Sequence, residues 1–222
     1  MRALWFLSSV LLIAAAPVPT AVRDRLIADA TALPPEQLAF DRTTKSVRTG
    51  GGTTTRISLV ERWDGKKWTL LSIAGAKPSA AERHDHERLA RAAPVPGYHR
   101  LALLLAAATT VTTDGQGRQL WHIPMLPSGS VRTDSGDISD HLQADARLAR
   151  RGDGYIVDQL RITAREPFRM NLLIKVSDFE QVIDYQPGSD GKPRLISQKS
   201  ESKGTMFGFT GGEKAQVTFA YK

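Results

Sequence analysis

The sequence predicts an α+β protein that is mainly antiparallel β: a curved, unclosed β-barrel of about 10–11 strands with two or three helices lidding its concave face. Three observations predict it. From Leu142 to Lys222, apolar and polar residues alternate in successive short runs, as a sheet with one wet face requires. The runs are divided by turn-forming stretches such as Arg151-Gly152-Asp153-Gly154. Helical stripes are confined to a few segments in the first half. A twisted sheet of many strands tends to curl, and one or two helices can plug its hollow side.

In chain order, Met1-Arg2 precedes an almost wholly apolar run, Ala3 to Ala16. That length suits an export signal, whereas a spanning helix needs about 20 apolar residues. Cleavage is expected between Ala16 and Ala21, which gives a signal peptide over 1–21, a single domain over 22–222 and a periplasmic location. Val22, Leu26, Ala30 and Leu33 form one helical stripe, stopped by Pro34-Pro35. Phe40–Arg48 reads as a strand, Gly50-Gly51-Gly52 as a flexible link, and Thr53–Trp63 with Trp68–Ile73 as a hairpin about Asp64-Gly65. Ser79 and Glu82 have capping-box spacing and open a helix to about Ala92.

Tyr98–Ala107 reads as a short helix, and Thr109–Thr113 with Gln119–Leu126 as a second hairpin. Strands then follow at Leu142–Leu148, Tyr155–Ala164, Phe168–Val176, Gln181–Gln186, Arg194–Ser200, Thr205–Phe209 and Val217–Lys222. Turns are expected at Lys203-Gly204 and Gly211-Gly212. Leu173 breaks the alternation of its strand.

Of the 222 residues, 41% are hydrophobic and 24% charged, enough apolar content for a packed core. Cysteine is absent, which excludes disulfides and a lipid-modified N-terminal cysteine. The net charge of +7 is scattered rather than blocked, so nucleic acid is not an expected partner.

Chemical motifs are sparse. His84 and His86 are spaced i and i+2, which points them about 160° apart on a helix, so a solvated face is expected and no metal. There is no Gly-x-Ser-x-Gly elbow and no phosphate-binding loop. Catalytic residues and cofactors are therefore not expected. Glu166, Arg169, Lys175 and Asp184 are expected to form cross-strand ion pairs. The apolar set is more informative: Trp63, Trp68, Trp121, Met125, Phe168, Met170, Phe179, Met206 and Phe207, with Phe209 alongside. Methionines and aromatics suit both a core and an irregular apolar ligand, and these nine residues are the candidate lining of a hollow.

The export segment, the Val22–Leu33 helix, the Arg56–Ile73 hairpin, the Ser79–Ala92 helix and the C-terminal strands resemble, in that order, the LolA/LolB-like fold. The stretch Trp68-Thr-Leu-Leu-Ser-Ile-Ala-Gly-Ala-Lys-Pro-Ser79 also looks like uncharacterised exported proteins of Gram-negative bacteria. The first resemblance implies a half-barrel with helices over its hollow and a role in carrying lipoproteins or lipids. The expected function is thus a non-catalytic periplasmic binding protein that holds a lipid or acyl chain. Its expected partners are that ligand and an anionic membrane surface or an envelope protein. Two alternatives stand beside it. One is an envelope interaction module with a filled core. The other is a hydrolase in which His122 or His141 meets a serine and a carboxylate.

Overall fold

The structure is a computed structural model that describes residues 15–90, 94–133 and 136–222. The apolar run expected to act as an export signal lies outside the described residues up to position 14. The elements are β1 (Ala16–Pro17), α1 (Thr20–Thr31), β2 (Phe40–Gly50), β3 (Thr53–Trp63), β4 (Trp68–Ile73), α2 (Ala80–Ala90), α3 (Leu101–Ala106), β5 (Thr110–Thr113) and β6 (Gln119–Ile123). There follow β7 (Arg132–Thr133), β8 (Gly136–Asp137), β9 (Leu142–Arg151), β10 (Gly154–Ala164), β11 (Phe168–Arg169), β12 (Ile174–Pro187), β13 (Pro193–Met206) and β14 (Phe209–Tyr221).

Twelve strands form one antiparallel sheet, in the order β1-β5-β6-β9-β10-β12-β13-β14-β2-β3-β4 with β11 beside β12. Its two ends do not pair, so the half-barrel stays open as predicted. Strand alternation sends Trp121, Ala144, Ala146, Leu148, Leu160 and Ile183 to the concave face. There α1 and α3 pack against each other and bring Leu26, Ala30, Leu101 and Leu105 onto that face, all buried. A bulge after Val157 breaks the β9–β10 register. The freed Val157 N–H donates to the Tyr98 hydroxyl at 3.0 Å, and the Tyr98 ring meets Tyr185 edge-on. This half of the hollow is filled by the protein's own side chains.

The helix near Ser79 forms with its capping box intact: the Ser79 N–H donates to Glu82, and the Glu82 N–H donates to Ser79 Oγ. Five readings of turns and breaks need correction. Gly51 and Gly52 are no loose link; with φ of 56° and 77° they make a two-residue hairpin turn. The expected Phe168–Val176 strand breaks after Arg169, because the Asn171 side chain accepts the Leu173 and Ile174 N–H groups and folds a turn. Beyond that turn, β12 runs through without the expected break before Gln181.

The turns expected at Lys203-Gly204 and Gly211-Gly212 are strand interior. A methyl group on Gly204 would lie 2.0 Å from the Lys175 carbonyl oxygen, and one on Gly211 2.3 Å from that of Thr49. These glycines allow neighbouring backbones to approach closely where the sheet coils. The real turn is Phe207-Gly208.

Residues ahead of α1 belong to the fold. Ala16 and Pro17 pair with Val111 and Thr110, the Val18 N–H donates to Thr109 O, and Val18 is buried. Part of the expected cleavage window is therefore structural. A chain beginning at Pro19 is expected to be about 2 kcal/mol less stable in urea than one beginning at Ala15. Equal midpoints for the two would show that these residues contribute nothing.

Candidate functional site

The strands β12, β13 and β14 run beyond the end of β10, and their far ends carry the exposed apolar residues. The β13–β14 turn places Phe207 at φ 52° and Gly208 at φ 83°. Both positions of such a turn favour residues like Asn and Gly, because a Cβ crowds the backbone there. A phenylalanine in that conformation is unusual, and the residue is 63% exposed. A residue held at a local cost with its apolar group in water is a pointer to function.

Four further side chains join it. The Asn171 turn raises Leu172, 91% exposed, and Leu173, and the Phe207 N–H donates to Leu173 O at 3.0 Å. Met206 and Phe209 face each other across the hairpin, and both are more than half exposed. Leu172, Leu173 and Phe207 border an open cleft of about 460 Å³. Five large apolar side chains at one strand end exceed the scattered exposure of an ordinary surface.

The nine candidate residues do not gather in one place: two lie at this end, one in a loop elsewhere, and six in or against the core. Trp63 and Trp68 pack together with Phe40, and Trp63 Nε1 donates to Pro35 O. Trp121 is wholly enclosed. Phe168 is buried with its ring stacked on His141, and Met170 and Phe179 lie half-buried against the same core. Met125 is exposed in the loop after β6. Met206 and Phe207 alone of the nine lie at the apolar end, with Phe209 beside them. Leu172 and Leu173 escaped the sequence reading, although the broken parity at Leu173 was their signal.

The polar candidates also fall into place. His86 does not sit on a solvated face; its Nε2 is 2.7 Å from Glu61 Oε1. Glu61 is buried and also takes both arms of Arg42, at 2.7 and 2.8 Å, while Arg42 lies over the Trp68 ring. This triad pins α2 to the sheet. Among the described residues no group of three or more His, Cys, Asp or Glu is placed to hold a metal. His122 pairs with Asp145 at 2.9 Å, and neither it nor His141 is hydrogen-bonded to a serine among the described residues.

The expected cross-strand ion pairs do not form. Asp184 bonds Gln159 and Ser197, and Arg169 stands directly opposite Lys175, a like charge. No described helix is long and apolar enough to cross a bilayer. No protein-family model, curated protein or solved structure matches the chain.

Proposed function

We propose that this protein is a non-catalytic lipid-handling protein of the cell envelope that takes an acyl chain at the apolar end of its sheet. The observation that carries the reading is the clustering of Leu172, Leu173, Met206, Phe207 and Phe209, all exposed, around a turn that holds Phe207 in a strained conformation. The ligand site expected in the hollow moves in this reading to the uncovered strand ends, because α1 and α3 occupy the concave face elsewhere. The envelope address rests on the export-like N-terminal sequence.

Covering each of these side chains is worth about 1–2 kcal/mol, since burial from full exposure gives about 1.5–3. The affinity therefore rests on a few contacts. A fluorescent long-chain fatty acid, titrated below its micellar concentration and checked by native mass spectrometry, is expected to bind. The L172S/F207S variant is expected to bind it about 30-fold more weakly, from two lost side chains. Absence of any bound acyl chain, added or co-purified, would remove this reading. The filled interior beneath the helices favours a second reading, an interaction module whose apolar end meets a protein. That reading predicts no acyl binding by either chain.

A further inference from the structure

The cleft at the apolar end is lined by seven residues, of which two, Arg169 and Lys175, are cationic and none is acidic. These two are direct cross-strand partners of β11 and β12. Like charges placed opposite one another destabilise a strand pair. No acidic side chain among the described residues relieves them. Arg169 makes a long contact to the Leu172 carbonyl oxygen at 3.4 Å, and among the described residues no carboxylate pairs with either cation. On the strands that carry the cleft, Asp178 is engaged by Lys203, and Glu201 by Lys203 and Lys214.

We infer that Arg169 and Lys175 form a head-group site for an anionic phospholipid bilayer surface, with the neighbouring apolar side chains entering the acyl region beside it. The inference rests on the lipid-handling reading and names the partner of the same site. Phosphodiester oxygens would sit between the two cations and relieve their repulsion, and Arg169 has the planar fork that suits them. Leu172, Leu173 and Phe207 border the same cleft, so one approach satisfies both the charged and the apolar groups. Two basic residues near an anionic surface contribute roughly fivefold each in partitioning.

The test is sedimentation of the full chain with vesicles of phosphatidylcholine alone, or with added phosphatidylglycerol, at one fixed salt concentration. The expected result is binding to both, stronger by about 25-fold on the anionic vesicles. The R169Q/K175Q variant is expected to lose that gain and keep its binding to phosphatidylcholine. The K45Q/K199Q variant, with the same change in net charge on exposed lysines elsewhere, is expected to keep most of the gain. Thermal unfolding of each variant confirms that it is folded. Equal binding to the two vesicles, or equal loss in the two charge variants, would overturn the head-group site while leaving the acyl reading intact. No binding to either vesicle, together with no uptake of the fatty-acid probe, would overturn both.

Discussion

Replacing Glu61 by alanine is expected to lower the free energy of unfolding by about 3–5 kcal/mol, because it strands a partner of a buried ion pair. Glu61 accepts both arms of Arg42 and the Nε2 proton of His86, and Arg42 cannot turn away without losing its seat on Trp68. A carboxylate can only accept, so His86 must present Nε2–H. An R42M/E61L double variant, in which neither member of the Arg42–Glu61 pair is left without the other, is expected to regain most of the loss. Urea unfolding of the two variants measures this, and a single variant as stable as the parent would show the triad to be dispensable.

The same residue sets an acid limb. Burial raises the pKa of Glu61, but the hydrogen bonds and charge of Arg42 and the bond from His86 outweigh it, and the net shift is downward from the ordinary value of 4.5. A group with a depressed folded pKa contributes stability above its unfolded value and loses it as pH falls through the folded value. The contribution of Glu61 is thus complete above about pH 4.5 and fades below it. In E61Q that part of the acid limb is expected to flatten.

Gly204→Ala is expected to be almost as damaging, at about 3 kcal/mol, although it adds one methyl group. The atom would meet the Lys175 carbonyl oxygen at 2.0 Å, and that oxygen belongs to backbone that cannot rotate away. The strands β12 and β13 would have to part where the sheet coils. Gly208→Ala, at a positive φ but with open space around it, is expected to cost only about 1 kcal/mol. Chemical denaturation of the pair separates crowding from backbone strain. The crowding argument fails if Gly204→Ala proves the milder of the two.

These glycines also show where the sequence was and was not legible. Alternation between apolar and polar residues reported β9 and β10 faithfully, because the period is local, but beyond Ala164 the strand bounds were misread. A glycine, however, reads alike in a tight turn and in a crowded strand. Gly204, Gly211 and Gly212 lack a side chain to make room for a neighbouring strand, and only the three-dimensional curl reveals that. The true turn carried a phenylalanine, which turn statistics disfavour, so it was read as strand.

The candidate site divided for a related reason. Trp121 and Phe207 are equally apolar in sequence, yet one is sealed in and the other stands in water. Helix placement decides which: α1 packs on α3 and β10, whereas the Phe207 turn stands at the far ends of β13 and β14. His86 was judged by its spacing from His84, whereas its partner, Glu61, comes from a strand 25 residues earlier.

The two-residue reversal at Phe207-Gly208 leaves no slack. The greasy crown it carries is set in place when the chain folds, rather than when a ligand arrives. Little motional freedom then remains to be surrendered on contact, so a modest number of side chains can give useful grip. The crown is also rooted in β13 and β14, whose other ends pack Leu195 and Phe219 into the core. A push at the rim would thus be borne by the whole body of the protein rather than absorbed by a floppy loop.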